Sequence, residues 1–428
     1  MNDLQITSVR TELLRLPLER PIVSGSVGGG GGGRLDSIFF LATWIATDHG
    51  PEGFGHAYFL QGGGRAAKAI IEDDLGPLLI GEDPLDHERL WQKLYWRVQS
   101  VGRRGLVIQA QSALDLALWD LKGKVAGLPL WKMLGGTRPD AAVYGSDGGW
   151  LWMSVEQMVD VAQEYLAQGM IGTKLKVGHD DPRVDLKRVE GVRKALGDAA
   201  WLAVDANQHW DFTTAIKMGR EFQRLGCTWF EEPMICEDPE GHARLAEALD
   251  IPIALGETLQ SRFEIQDYLL RDAVDIVQPD LTRVGGLTEW LKIVQFAESL
   301  HRPVWPHLMM EASIQLACGL GCVGAIEYMP WLAAAFAELP AIRQGRMLPP
   351  TRVGLGLELS PDAIKQHLQI NGASLFVHPA RQGTDRFSQY TIERRNLCAR
   401  RQHFGIHLRS GNMPDIFLVQ QANDKRRV

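Results

Sequence analysis

The chain has 428 residues, of which 45% are hydrophobic and 23% charged, a composition typical of a globular protein with two or three domains or one barrel with an appendage. The net charge of −7 argues against a nucleic-acid or anionic-membrane partner, and no apolar run approaches the roughly 18 residues of a membrane span. The N-terminus lacks the basic start and apolar core of a signal peptide, and five cysteines without a CxxC pair are typical of a reducing compartment, so we expect a cytoplasmic protein.

The first 135 residues predict an α+β domain that begins with strands. Apolar alternation from Ile6 predicts the first strand, and a second strand is expected from Ser37 to Ala46. Between them, the six consecutive glycines Gly28–Gly33 cannot hold one backbone conformation. A domain linker would have the same composition, but this run lies inside a sheet, so residues 24–34 are predicted to form a mobile flap.

Helical spacing follows in the rest of this domain. The predicted helices cover residues 70–79, 87–98 and 112–124. The last has the clearest signature, because Ser112 and Asp115 are spaced as a capping box at its start.

From about residue 136 to residue 340, short β-rich runs alternate with helical segments. Eight such runs predict the α/β class and a (β/α)₈ barrel. They cover residues 142–146, 172–177, 201–205, 228–231, 252–256, 275–278, 303–305 and 324–327. An open doubly wound sheet is the alternative, but it normally has a glycine-rich phosphate turn after its first strand. Because Gly145-Ser146-Asp147 is not such a turn, the barrel is preferred.

Ionisable side chains end seven consecutive predicted strands. Because the carboxyl ends of barrel strands meet at one mouth, these side chains are expected to converge. Asp205, Glu231 and Glu257 end three successive strands, and ligation by oxygen alone selects a hard cation such as Mg²⁺. Zinc is the competing metal, but it favours histidine ligands, and His307 lies two strands away.

Two groups suited to proton transfer flank these carboxylates. Lys174 and Lys176 are two residues apart on one strand, so both point into the barrel, and a lysine near a divalent cation loses its proton more easily. Across the barrel, Asp280 can accept a ring N–H of His307 and fix its tautomer. Glu327 lies beside them and could hydrogen-bond a developing anion. The pattern predicts two bases on opposite faces of a metal-bound substrate.

These motifs together resemble the enolase superfamily, specifically its mandelate racemase subgroup, over roughly residues 1–368. They are Lys174-x-Lys176, Val204-Asp205-Ala206-Asn207, Glu231-Glu232-Pro233, Gly256-Glu257, Gln278-Pro279-Asp280 and His307. Residues 113–120 also resemble the helix that joins the family's capping domain to its barrel, and residues 354–358 resemble the strand that returns to that cap. Within the subgroup, the chain looks most like the acid-sugar dehydratases of the galactarate/L-talarate type.

The resemblance implies roles for nine residues. The implied Mg²⁺ ligands are Asp205, Glu231 and Glu257. The implied acid/base groups are Lys176 and the dyad of His307 with Asp280. The implied substrate contacts are Lys174 and Glu327 to the carboxylate and Asn207 to the 2-hydroxyl.

We therefore expect a Mg²⁺-dependent dehydratase of carbohydrate catabolism that converts a hexarate or an aldonate to a 2-keto-3-deoxy acid. A racemase or epimerase is the first alternative, because it would use the same two bases. A non-catalytic binding barrel is the second, but such a protein is expected to lack a ligand or a base, and the sequence has them all.

Two differences from the family concern the rest of the substrate site. Arg283 stands where mandelate racemase itself has a lysine. Residues 54–61, interpreted as a loop of the cap, lack the Lys-Arg pair expected to neutralise a distal carboxylate, a role that Arg65 or Arg34 could take.

The domain limits expected from the sequence are a capping domain at 1–135, a barrel at 136–340, a return segment at 341–368 and a tail at 369–428. The tail contains ten Lys or Arg against four Asp or Glu and little periodicity, so it is predicted to be poorly ordered. A basic partner-binding arm is the alternative. Many exposed helices around a barrel also lead us to expect a homo-oligomer.

Overall fold

The computed structural model describes residues 4–24, 34–369 and 376–377. Most of the predicted flap at 24–34 and nearly all of the predicted tail at 369–428 lie outside the described residues, so both stay predictions. Within the described residues, no helix is long and apolar enough to cross a membrane.

Strands and helices alternate from the second third of the chain onward. The strands are β1 (Ile6–Ile22), β2 (Leu35–Thr47), β3 (Gly53–Phe59), β4 (Ala141–Gly145), β5 (Gly172–Lys176), β6 (Trp201–Asp205), β7 (Phe230–Glu231), β8 (Ile253–Leu255), β9 (Ile276–Val277), β10 (Ile326–Tyr328), β11 (Ile342–Arg343), β12 (Arg346–Met347) and β13 (Phe376–Val377). The α-helices are α1 (Gly64–Ala69), α2 (His87–Arg97), α3 (Leu106–Ala126), α4 (Leu130–Met133), α5 (Val155–Ala167), α6 (Pro182–Leu196), α7 (Phe212–Arg224), α8 (Pro239–Ala248), α9 (Arg262–Leu270), α10 (Leu287–Ser299), α11 (Met310–Gly319) and α12 (Pro361–His367).

The first three strands and β13 form a four-stranded antiparallel sheet in the order β13-β1-β2-β3, and helix α3 packs on it. We call β1–β3 with α1–α3 the cap. Alternate residues of β3 face α3 at very short range: a Cβ at Gly53 or Gly55 would lie 2.2 or 2.1 Å from a backbone oxygen of α3. Glycine at these two positions therefore permits the close packing of strand and helix.

Helix α3 is longer than the sequence predicted, and its predicted start is wrong. It begins at Leu106 after Gly105, whose φ of 63° favours glycine, and no side chain caps it. Ser112 lies inside the helix and donates to the oxygen of Ile108, while Asp115 bonds to Thr288 of the barrel. Ser112 therefore makes a contact typical of a helix interior, and Asp115 makes a contact between the cap and the barrel. Neither makes the hydrogen bonds of a capping box.

Residues 54–61 also differ from the prediction, because most of them form the strand β3 and not a loop. The register of β3 against β2 is regular, with Tyr58 opposite Phe40. Gly53 and Gly55 of this strand face α3.

The central part of the chain forms the (β/α)₈ barrel that the sequence predicted. Strands β4 to β9 lie parallel and in sequence order, and β10 pairs with β4. Bridges from Val304 to Val277 and to Val323 supply the connection between β9 and the last strand. Apolar side chains fill the interior and the layer beneath the helices, which leaves the polar side chains to the carboxyl ends of the strands.

Helix α3 binds other parts of the chain through two buried carboxylates. Asp115 accepts from the backbone N–H and the hydroxyl of Thr288, at 2.9 and 2.6 Å. Asp120 accepts from the N–H of Phe54 in β3 at 2.7 Å and from that of Leu355 at 2.8 Å. One helix therefore binds the barrel, the cap sheet and the segment that follows the barrel.

That following segment, residues 341–368, divides its contacts between the two parts. The hairpin of β11 and β12 adds to the barrel sheet, because Arg346 and Met347 pair with β4. Farther on, Leu368 bridges to Leu14 of β1 beyond helix α12.

Candidate active site at the mouth of the barrel

All nine residues that the sequence singled out lie together at the carboxyl ends of the barrel strands. None is more than 9% exposed. The strand that carries or precedes each one is β5 for Lys174 and Lys176, β6 for Asp205 and Asn207, β7 for Glu231, β8 for Glu257, β9 for Asp280, the bridge at Val304 for His307, and β10 for Glu327. Their roles stay predictions, but they share one site.

Three carboxylates converge at its centre. Asp205, Glu231 and Glu257 each offer one oxygen, and these oxygens lie within 4.8 Å of one another. Burial and the neighbouring Asp205 raise the pKa of Glu231 to about 7, so the ionised form of this carboxylate depends on compensating positive charge nearby. The donor set is all oxygen, and its spacing and charge fit a hard divalent cation.

Lys174 supplies one compensating charge. Its Nζ lies 2.8 and 3.0 Å from the two oxygens of Glu231 and 2.7 Å from Glu327. Burial alone would lower the pKa of Lys174, but these carboxylates raise it well above its usual value. Trp229 and Gln278 also donate to Glu231, both at 3.0 Å, and fix the orientation of this carboxylate.

Lys176 lies two residues farther along β5 and pairs with a different carboxylate. Its Nζ donates to one oxygen of Asp205, and the other oxygen of Asp205 accepts from the N–H of Asn207 at 2.8 Å. Burial lowers the pKa of Lys176, but Asp205 outweighs it and the pKa is raised. Trp150 lies beside the ammonium group, with its ring centroid 5.8 Å away.

His307 lies on the other side of the three-carboxylate cluster from Lys176. Its ring is placed between two carboxylates. Its Nδ1 is 2.8 Å from Asp280, and its Nε2 is 2.9 Å from Glu257. Burial alone would lower the pKa of His307, but the two carboxylates raise it to about 10. A carboxylate beside each nitrogen favours the doubly protonated ring, which is a proton donor at neutral pH.

Lys176 and His307 both reach one small cavity. Its lining includes Lys176, Asn207, Glu257, His307, Trp150 and Ile22. Ile22 is the last residue of β1, so the chain that leads into the predicted flap lies at the edge of this cavity.

Two family models match the chain. The model of the mandelate racemase / muconate lactonizing enzyme N-terminal domain matches residues 38–135, and the enolase C-terminal domain-like model matches residues 157–363. The chain belongs to the enolase superfamily, in its mandelate racemase subgroup. The resemblance inferred from the motifs is thereby confirmed.

Several relatives in this superfamily align over most of the chain. The L-talarate/galactarate dehydratase of Salmonella typhimurium is 40% identical over 84% of this chain and 90% of its own. The 3,6-anhydro-alpha-L-galactonate cycloisomerase of Streptomyces coelicolor is 33% identical over 83% of this chain and 97% of its own. The crystal structure of L-talarate dehydratase from Polaromonas sp. JS666, complexed with Mg and L-glucarate, superposes with a TM-score of 0.83 at 42% identity and covers 88% of this chain and 100% of that one.

Two residues that bind predicted site residues were not themselves predicted as part of the site. Tyr58 of the cap donates to Asp280 at 2.6 Å, and Gln278 donates to Glu231 at 3.0 Å. Arg283, which the sequence did single out, lies 3.3 Å from a carboxylate oxygen of Glu257. Gln278 belongs to a motif that was quoted for the resemblance, so its position beside Asp280 was a usable signal. Tyr58 had no such signal, because its segment was interpreted as a loop.

Proposed function

We propose that this member of the enolase superfamily is a Mg²⁺-dependent dehydratase of an acid sugar, either a hexarate or an aldonate. The observation that carries the proposal is the placement of two ionisable groups suited to proton transfer, Lys176 and His307, on either side of a buried three-carboxylate cluster. The names of the relatives support the same activity, since one is a dehydratase of L-talarate and galactarate and another is a dehydratase that binds Mg and L-glucarate.

The proposed metal ligands are Asp205, Glu231 and Glu257, because their buried oxygens are close enough to share one ion. Bound Mg²⁺ would stabilise the negative charge that develops on the substrate carboxylate when the α-proton leaves. Lys174 and Glu327 are proposed to contact the same carboxylate. Asn207 is proposed to bind the 2-hydroxyl, and its buried side-chain oxygen has no hydrogen-bond partner among the described residues.

Proton transfer is assigned to the two groups that line the cavity. One of Lys176 or His307, in its unprotonated form, removes the proton from C2, and the configuration of the substrate decides which, since the two approach from different sides. The imidazolium of His307 then protonates the 3-hydroxyl, which leaves as water. The resulting enol becomes a 2-keto-3-deoxy acid, so the net reaction is the loss of one water molecule.

The alternative of a racemase or epimerase uses the same two groups and returns a proton to C2 from the opposite face. The two reactions differ in what happens at C3, because only dehydration breaks the bond to the 3-hydroxyl.

The test is incubation of the protein and Mg²⁺ with a set of hexarates and aldonates in deuterated solvent. Dehydration is expected to give a 2-keto product that forms a semicarbazone. Exchange of the C2 proton with inversion, but without that product, would replace the proposal by the racemase alternative. If no substrate reacted or exchanged, while the Lys176→Met, His307→Asn double variant behaved identically, an enzymatic role on acid sugars would be rejected.

A further inference from the structure

Strand β3 carries one cap side chain into the mouth of the barrel. Side chains alternate along a strand, and Gly53 and Gly55 occupy the face of β3 that packs on α3. Tyr58 therefore lies on the opposite face, which is directed at the barrel. Its side chain is almost fully buried there, at 2% exposure.

The hydroxyl of Tyr58 donates to Oδ2 of Asp280 at 2.6 Å. The same oxygen is the partner of Nδ1 of His307 at 2.8 Å. The other oxygen of Asp280 accepts from the N–H and the hydroxyl of Thr282, both at 2.7 Å. Four hydrogen bonds thus hold one carboxylate, and three of the four donors belong to the barrel.

Tyr58 is suited to be a permanent donor in this arrangement. Burial raises the pKa of its hydroxyl well above the usual value, so it keeps its proton at neutral pH. The guanidinium of Arg283 lies 5.6 Å from the centroid of its ring and helps to hold that ring in place. The hydrogen bond is therefore short, buried and made by a group with one protonation state.

The oxygen of Asp280 that binds His307 also accepts from Tyr58. This second donor restricts rotation of the carboxylate about its Cβ–Cγ bond, so it fixes the direction of the hydrogen bond to His307. We propose that Tyr58 is a positioning residue for the His307–Asp280 dyad, and that it makes proton transfer by His307 depend on the docking of the cap. Tyr58 acts through Asp280 and does not itself exchange a proton with the substrate.

The kinetic consequence rests on the proposed function. Tyr58→Phe keeps the ring and removes only the donor, so turnover that needs His307 is expected to fall by about tenfold, the loss typical of one hydrogen bond to a charged group. Exchange of a C2 proton that Lys176 removes is expected to stay within about twofold of the wild-type rate, because Lys176 pairs with Asp205 and not with Asp280.

A measurement that does not depend on activity tests the same idea. In protein labelled with ¹⁵N-histidine, the Nδ1 signal of His307 can be assigned by its absence in His307→Asn. This signal is expected to move in Tyr58→Phe. The matched control is Tyr268→Phe, which also removes a buried tyrosine hydroxyl. That hydroxyl donates to the backbone oxygen of Cys236 at 3.0 Å. The control variant should leave the Nδ1 signal of His307 and turnover unchanged.

A conservative replacement completes the design. With 3,5-difluorotyrosine at position 58, the hydroxyl is retained as a stronger donor, so turnover should be preserved while the Nδ1 signal of His307 still moves. This protein also answers the question if Tyr58→Phe does not fold.

An unchanged Nδ1 signal in both Tyr58 variants would overturn the inference, and so would equal losses of the Lys176-dependent and His307-dependent rates in Tyr58→Phe. The proposed function can fail separately. If the wild-type protein dehydrated no acid sugar, the Nδ1 signal would still decide whether Tyr58 positions the dyad.

Discussion

Asp120 is expected to be one of the most sensitive positions of the chain outside the active site. Its carboxylate is 1% exposed and accepts from the backbone N–H groups of Phe54 and Leu355. In Asp120→Ala both donors lose their partner, and a buried donor left unpaired costs about 1–3 kcal/mol. The ion pair with Lys124 is partly exposed and adds little. The expected loss in the free energy of unfolding is therefore about 2–6 kcal/mol.

The assay is urea-induced unfolding followed by tryptophan fluorescence, with two companion variants. Asp120→Asn keeps one acceptor oxygen, so it should lose about half as much as Asp120→Ala. Asp362→Ala removes an exposed aspartate whose partner, Lys365, is also exposed, and it should change stability by less than about 0.5 kcal/mol. A loss below about 1 kcal/mol for Asp120→Ala, or one equal to that of Asp362→Ala, would refute the idea that Asp120 holds the cap to the following segment.

Three further predictions concern the site and the interdomain joint. Glu257→Gln should abolish turnover and weaken Mg²⁺ binding, measured by calorimetry, by more than about tenfold, because a neutral amide replaces an anionic ligand; normal binding would contradict the metal assignment. For a substrate whose C2 proton is removed by Lys176, Lys176→Met should eliminate exchange of that proton with deuterated solvent. His307→Asn should stop product formation but keep the exchange. Exchange at the wild-type rate in the double variant would exclude both residues as the base. Burial raises the pKa of Asp115 to about 7, so between about pH 4 and pH 7 the folded state binds a proton that the unfolded state has lost. The free energy of unfolding that this group contributes therefore falls as the pH rises through this range. Urea unfolding of Asp115→Asn should show a smaller fall over the same range.

The barrel and its site could be predicted from the sequence because a parallel barrel turns spacing along the chain into proximity in space. Each β/α unit returns the chain to the same mouth, so Asp205, Glu231 and Glu257 converge although 26 residues separate each from the next in the chain. The two-residue spacing of Lys174 and Lys176 likewise placed both in the interior. No long-range contact had to be guessed for these residues.

The cap could not be predicted to the same depth, because its decisive features are contacts between distant segments. Ser112 and Asp115 have the spacing of a capping box, but their partners are an oxygen one turn back and a threonine of the barrel. Residues 54–61 were interpreted as a loop, whereas most of them form β3, in which Gly53 and Gly55 admit α3 to close contact. Such partners are set by the packing of the folded chain, and sequence spacing does not report them.

Contacts among the site residues also bear on how variants of the site should be interpreted. Each proposed proton-transfer group is paired with a proposed metal ligand, Lys176 with Asp205 and His307 with Glu257. Replacing a ligand therefore also changes the charge that sets the pKa of a base, so a loss of turnover in Glu257→Gln cannot by itself be assigned to the metal. Binding of Mg²⁺ must be measured directly, and the exchange assay must show which base has been affected. Tyr58→Phe offers the complementary perturbation, because it reaches His307 through Asp280 and leaves the three carboxylates intact.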